Sequence, residues 1–327
     1  MAILVTGGAG YVGSHTIVEL LARNEKIIVI DNLERGHQKA VLGGYLSVGD
    51  LRNDEFLENI FKKNSIEAVI HFAAYSEVEE SALKLYKYYE NNIFSTLKLI
   101  EKMIKYDVRK IVFSSTAAIY GNPTITPIDE NSPETPINPY GETKLAVEKI
   151  LKWYNIAHDM SYISLRYFNA CGAHSNGKIG ECHKPETHLI PLILKSILKK
   201  ENKVEIFGND YNTRDGTCIR DYVHVTDLAF AHILSLEKIR KENVASIYNL
   251  GSGCGFSVNE IIETVRKITK TNIKGEVKPR RAGDPDVLVA KCKKIEKELK
   301  WKPKYDLQKM ILSAWKWHKN HPNGFED

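Results

Sequence analysis

No uninterrupted apolar stretch in the 327 residues approaches the ~20 that a membrane-spanning helix needs, so no span is expected. Cysteine is scarce: Cys171, Cys182, Cys218, Cys254 and Cys292 are an odd set with no Cys-x-x-Cys spacing, which argues against a disulfide framework and a zinc finger. Neither Cys182-His183 nor His318 with His321 has a second ligand pair, so no metal is expected either. Charge of one sign is also modest, a dispersed formal +5, and nucleic acid is not the partner it calls for. The lysine-dense stretch 291–304 spaces Ile295 and Leu299 at helical distance and reads as a solvated helix face. Because the first apolar run starts at residue 2, it leaves no room for a leader ahead of it, and a cytoplasmic protein is expected.

What the chain does have begins at once. Ala2 to Thr6 is an apolar strand, Gly7-Gly8-Ala9-Gly10-Tyr11-Val12-Gly13 a glycine turn, and Ser14 to Leu21 a segment of helical periodicity. Glycines at these spacings allow a tight turn, close backbone approach to a pyrophosphate, and helix-strand packing. A second strand, 26–30, ends in Asp31, eighteen residues after Gly13, where a carboxylate would bond the adenosine ribose and repel a 2'-phosphate. That favours NAD over NADP. Residues 67–72, 110–113 and 161–166 are further buried-type strands between helical segments, so an α/β fold with a doubly wound parallel sheet of Rossmann type is expected. Ligands in such sheets sit at the carboxyl ends of the strands, which gathers Gly7 to Gly13, Asp31, Asp50-Leu51, Phe72-Ala73-Ala74 and Ser114-Ser115-Thr116 along one edge. From Asn169 the alternation breaks down, with one helix (188–200), one short strand (204–207) and an amphipathic helix (258–269). We therefore expect an NAD-binding domain over 1–168 and a smaller substrate domain over 169–327, with some segments returning to the first.

Tyr140 and Lys144 stand four apart, one turn from each other on a helix, so the ammonium can favour negative charge on the phenol. The demand is large: lowering a phenol from ~10 by ~3 units takes ~4 kcal/mol. One cation at contact distance in a dry site, helped by a positively charged nicotinamide, supplies energy of that order. By itself the pair also fits an ordinary exposed helix face.

These motifs occur in a fixed order: Gly7-x-x-Gly10-x-x-Gly13, Asp31-Asn32, His71-Phe72-Ala73-Ala74, the run Ser114 to Gly121, Asn138-Pro139-Tyr140-Gly141-x-x-Lys144, Leu165 to Asn169, Ile206 to Tyr211, Arg220 to Val225 and Arg280 to Pro285. In them the chain resembles, over nearly its whole length, the extended short-chain dehydrogenase/reductase family, and within it the UDP-sugar 4-epimerases. The resemblance implies an isomerase that interconverts UDP-glucose and UDP-galactose through a 4-keto intermediate on tightly held NAD. Tyr140 would be the base, Lys144 would lower its pKa and bond the nicotinamide ribose, and Thr116 would relay the proton. For NAD the likeness implies Gly7, Gly10, Tyr11, Val12 and Gly13 at the pyrophosphate, Asp31 and Asn32 at the ribose, and Asp50 with Leu51 at the adenine. Phe72, Ala73, Ala74, Asn92, Ser114 and Phe168 complete that side. For the UDP-sugar it implies Asn169, Arg220, Arg281 and Asp284, with Ile206 and Phe207 against the uracil. It also implies a homodimer packing the Tyr140 helix against its copy.

Three positions depart from the family pattern. Ser76 stands where many relatives carry a lysine for the pyrophosphate, and Thr187-His188-Leu189 replaces a tandem asparagine before leucine, so His188 would take over a nucleotide contact. Leu288 stands where some relatives have a tyrosine gating the sugar; the smaller side chain leaves space for a 2-acetamido group, so UDP-N-acetylglucosamine is a possible second substrate. A sugar-nucleotide dehydratase needs an acid/base pair after the threonine, and Ala117-Ala118 lacks it. A non-catalytic NAD-binding protein is opposed by Tyr140 and Lys144. A net dehydrogenase is left open by the residues themselves.

Overall fold

Runs such as Ile27-Ile28-Val29-Ile30 cannot put one face in water, so a strand built from them must be covered on both sides. A computed structural model of the chain, describing residues 1–281 and 284–325, uses them in that way. The strands β1 (Ala2–Thr6), β2 (Ile27–Asp31), β3 (Tyr45–Val48), β4 (Ile66–His71), β5 (Lys110–Thr116), β6 (Ser161–Tyr167) and β7 (Ala245–Leu250) form one sheet in the order β7-β6-β5-β4-β1-β2-β3. Every pairing is parallel. The winding reverses between β1 and β4, which opens a crevice at their carboxyl ends.

Helices α1 (Tyr11–Leu21), α2 (Pro139–His158), α3 (Leu189–Leu198) and α5 (Val258–Thr269) contribute residues to that crevice, while α4 (Val225–Lys241) packs on the sheet. Alternate residues of β1 face opposite layers. Ile3 and Val5 pack with Ile17 and Leu20 of α1 and Leu228 and Ala231 of α4, whereas Leu4 joins Leu99, Met103, Val147 and Leu151 on the other side. Helix α1 starts three residues before the expected Ser14, so the glycine turn runs straight into it. Helix α2 is started by Asn138, whose side chain accepts from the Gly141 N–H at 2.9 Å, with Pro139 in the first turn.

The smaller unit is built on parallel strands Lys203–Phe207 and Lys274–Lys278 and a core of Ile190, Ile193, Leu194, Val204, Ile261, Val265 and Met310. A boundary at residue 168 is not clean, since α4 packs on the sheet and β7 is its edge strand. In the stretch 291–304, Lys293–Leu299 is helical with Ile295 and Leu299 buried. Among the described residues no helix is long and apolar enough to cross a membrane.

A charged group sits at the heart of the frame. Arg166 on β6 is 0% exposed and donates from Nε to both oxygens of Glu148 on α2, at 3.0 and 3.2 Å. Its Nη1 donates to the Tyr120 hydroxyl at 2.9 Å, and Glu134 takes a further bond from Nη2. The pair fixes α2, and therefore Tyr140 and Lys144, against the sheet. Removing one partner strands a buried charge, so Glu148→Ala should lose ~3–5 kcal/mol of unfolding free energy, read from urea melts; a loss below ~1 kcal/mol would contradict this reading.

Candidate active site

The crevice is closed at one end by backbone packed on backbone. Gly7 holds φ +69°, and a Cβ there would lie 2.5 Å from the Ala73 nitrogen; one on Gly13 would lie 2.3 Å from the Gly7 oxygen. Only glycine fits at either place. Gly10 brings no side chain to cap α1, and the first turn of the helix has no acidic residue. The N–H groups of Tyr11, Val12 and Gly13 find no acceptor among the described residues, and all three residues line the cavity. A helix start in this state binds anions. At the end of β2 the Asp31 carboxylate accepts from the Ala9 and Leu33 N–H groups, each at 2.9 Å, while burial pushes its pKa up. Asn32 donates to Asp50 at 3.2 Å, and the Arg52 guanidinium draws Asp50 down to about 2.

From this turn one cavity of about 1970 Å³ runs across the carboxyl edge of the sheet into the smaller unit. Single-ligand pockets fall near ~300–1,000 Å³, so there is space for two ligands side by side. Among the expected cofactor residues its wall holds Gly7, Gly10, Tyr11, Val12, Gly13, Asp31, Asn32, Asp50, Leu51, Phe72, Ala73, Ala74, Ser114 and Phe168. On the other side it holds Asn169, His188, Leu189, Phe207, Arg220, Arg281, Asp284 and Leu288. Thr116, Tyr140 and Lys144 lie in the same wall.

Two expectations need correction. Asn92 does not reach the cavity: its carboxamide accepts the Tyr75 N–H at 2.9 Å and donates to the Tyr75 oxygen and the Thr143 hydroxyl, each at 3.0 Å. It braces the wall from behind. Ile206 packs into the core of the smaller unit and is absent from the cavity wall, whereas its neighbour Phe207, on the opposite face of the strand, lines it. Ala282 and Gly283, in the middle of the Arg280 to Pro285 motif, lie outside the described residues.

Lys144 is 3% exposed; its Nζ donates to the Ser114 carbonyl at 2.9 Å and lies 4.9 Å from the centre of the Phe113 ring. Burial brings it down from 10.5 to about 7, with Glu148 opposing. The Tyr140 phenol is pushed up by burial, and the Thr116 hydroxyl bonded to it pulls it down. The expected depression of the phenol by Lys144 is therefore not present in the polypeptide alone, because the lysine is itself desolvated and bonded to a carbonyl. Neither residue keeps its charge cheaply here, because both are cut off from water.

At the far end Arg220 donates to the carbonyls of Ile219 and Pro285 at 2.9 and 2.8 Å, and its Nη2 lies 3.3 Å from Asp284. That Nη2 is enclosed without a hydrogen bond, a donor in want of an acceptor. Arg281 lies over the Phe207 ring at 4.1 Å. The residues alone give no role to Tyr167, bonded to Ser114, or to Glu181, and set His183 aside as a ligand, yet all three line the cavity near His188 or the Ser114 edge. Their signal is the spacing Glu181-x-His183-x-x-Glu186-x-His188, visible only when carboxylates are counted with histidines.

The NAD dependent epimerase/dehydratase family model matches residues 3–251. A UDP-glucose 4-epimerase of Halalkalibacterium halodurans is 53% identical over 326 residues, covering 99% of this chain and 98% of that protein. A solved UDP-glucose 4-epimerase superposes with a TM-score of 0.98 at 49% identity, covering 100% of both chains. The Bifidobacterium longum UDP-glucose 4-epimerase, solved in complex with NAD+ and UDP, gives 0.94 at 39% identity over 99% of this chain and 100% of that one.

Lys144 supplies a test that needs no ligand. Unfolded, it stays protonated to about 10.5, whereas folded it releases its proton near 7. Between those values the unfolded state holds the extra proton, so this group makes stability rise with pH and removes it again as pH falls toward 7. Between pH 7 and 9, unfolding free energies of the ligand-free polypeptide should climb up to ~1.4 kcal/mol per pH unit more steeply than those of Lys144→Met. Parallel slopes would contradict the assignment.

Proposed function

The chain belongs to the NAD dependent epimerase/dehydratase family, among its UDP-glucose 4-epimerases, and from that premise we propose that it interconverts UDP-glucose and UDP-galactose on a held NAD. The observation that supports this reading most is a single cavity with the Tyr140, Thr116 and Lys144 group between an anion-binding helix start and an Arg220 guanidinium nitrogen that makes no hydrogen bond. The wall fits the dinucleotide: free N–H donors at α1 suit its pyrophosphate, and Asp31, at the end of β2, suits a ribose diol. NAD held there would supply a reversible hydride acceptor for carbon 4 of the sugar, so the net redox change would be zero.

The chain's own residues handle the proton and the orientation. Tyr140, as phenolate, takes the proton of the 4-hydroxyl and later gives it back. Thr116, able to donate and accept, relays it and bonds the carbonyl oxygen. Lys144 takes up a proton as the phenol loses one, since a buried ion pair costs less than either charge alone. Tyr140 would gain the remaining stabilisation of its phenolate from the positive charge of a bound nicotinamide. Gly7, Gly10, Tyr11, Val12 and Gly13 serve the pyrophosphate, Asp31 and Asn32 the ribose, and Asp50 and Leu51 the adenine. Phe72, Ala73, Ala74, Ser114 and Phe168 wall the remainder. Arg220 and Arg281 suit diphosphate oxygens through their planar forks, Asp284 suits a ribose hydroxyl, and Asn169, His188, Leu189 and Phe207 complete the nucleotide side. UDP-N-acetylglucosamine is a second substrate, supported by the room that Leu288 leaves.

A homodimer is proposed through α2, supported by Trp153 and Ile156, 67% and 61% exposed on that helix. Five free thiols suit a reducing compartment, and the cytoplasm is the proposed location.

Purified protein incubated with UDP-galactose should yield UDP-glucose without NADH accumulating, and Tyr140→Phe should lower turnover by ~10²–10⁴. NADH appearing in proportion to product would instead mark a net dehydrogenase. Leu288→Tyr should cut turnover of UDP-N-acetylglucosamine at least tenfold more than that of UDP-glucose; equal losses would remove the case for the second substrate.

A further inference from the structure

Between the short strand Asn169–Cys171 and α3 the chain carries Glu181, His183, Glu186 and His188, spaced i, i+2, i+5 and i+7. Each offers one ligand atom, and these atoms lie within 4.8 Å of one another. His188 Nδ1 is 3.0 Å from Glu181 Oε1 and 3.1 Å from Glu186 Oε1, while His183 Nδ1 is 3.3 and 3.8 Å from the same two oxygens. A tetrahedral zinc-type ion with bonds near ~2.0–2.2 Å sets its ligand atoms roughly 3.3–3.5 Å apart, and the four separations bracket that edge. Two imidazoles with two carboxylates is a donor set such ions accept.

The competing reading is a cluster of imidazolium–carboxylate hydrogen bonds, which the 3.1 Å bond between His188 Nδ1 and Glu186 Oε1 fits and one other atom does not. His183 Nδ1 is fully enclosed and makes no hydrogen bond, although a carboxylate oxygen stands 3.3 Å away. Its line of approach misses the alignment that an N–H needs, whereas a shared ion asks only that the atoms converge. The carboxylates are held as ligands are. Glu181 and Glu186 side chains are 5% and 6% exposed. The Thr187 and His188 N–H groups hold Glu186 Oε1 at 3.0 and 3.1 Å, and Lys195 donates to its other oxygen at 3.2 Å, which fixes the direction in which Oε1 faces the two imidazoles. His188 is 48% exposed toward the cavity and gives a path of entry.

We propose that Glu181, His183, Glu186 and His188 bind one divalent transition-metal ion of the zinc type, which pins residues 181–188 as a rigid wall of the cavity. The wall meets α1: the His183 ring stands edge-on to Tyr11 with centroids 6.2 Å apart, and the Tyr11 hydroxyl donates to the Gly172 carbonyl at 2.5 Å. The expectation that the chain holds no metal rests on the lack of a second Cys/His pair beside Cys182-His183, and it leaves the two glutamates out. The ion has a supporting role in this proposal, apart from hydride transfer.

The test uses full-length, untagged protein stripped with a chelator and titrated with Co²⁺. Uptake of one ion per chain, with the visible bands of four-coordinate cobalt and displacement by Zn²⁺, is the expected result, accompanied by a melting temperature that rises until one equivalent is bound. His183→Asn should weaken Co²⁺ binding at least tenfold and alter the bands, and Glu181→Gln should do the same should the histidine variant fail to fold. Failure of the wild type to take up a stoichiometric ion, or uptake unchanged in both variants, overturns the proposal.

Discussion

The Lys144 ammonium, enclosed between β5 and α2 and donating to the Ser114 carbonyl, is the constraint on which the rest of the site depends. Water cannot solvate it there, so its charge is expensive and its pKa falls to about 7. Burial acts on Tyr140 in the opposite chemical sense, disfavouring the phenolate. Both penalties have the same origin, the exclusion of water from one wall of the cavity. A cationic nicotinamide, held in the cavity, would favour the Tyr140 phenolate and so would couple the base to the presence of the oxidant.

Keeping a lysine dry takes a rigid frame. The frame is the parallel sheet with helices on both faces, and the tie that sets α2 on it is the buried Arg166–Glu148 pair, one turn beyond Lys144. Glu148 thus does two things: it neutralises Arg166, and it is the group that opposes the fall in the Lys144 pKa. The winding reversal between β1 and β4 opens the crevice, and the Gly7 to Gly13 turn brings a bare helix start to its edge. The smaller unit adds the second half of the wall, with Arg220 fixed by two carbonyls so that one guanidinium nitrogen stays free of hydrogen bonds.

Much of this was legible in the residues. Uninterrupted apolar runs can only be strands covered on both faces, and glycines at positions 7, 10 and 13 ahead of a helix have few other uses. Tyr140 and Lys144 were legible as a pair because helical spacing fixes their relation. Their electrostatics were not, since a pKa depends on which water is excluded, and that is a property of the packed layers. Asn92 and Ile206 show the limit of position-by-position likeness: one is spent on the Tyr75 backbone, the other points into a core, and neither orientation follows from a motif. The convergence of Glu181, His183, Glu186 and His188 comes from the path of a loop, which has no periodicity to read. The domain boundary blurred for a related reason, because β7 returns to the sheet only through long-range pairing with β6.

The central claim is that hydride leaves carbon 4 and comes back to the same carbon without leaving the protein. UDP-glucose labelled with deuterium at carbon 4, turned over in ordinary water with excess unlabelled NAD, tests it most directly. The account predicts UDP-galactose that retains deuterium at carbon 4, with none in the solvent or in the free nicotinamide pool. Label washed into water, or carried off on free cofactor, would contradict it.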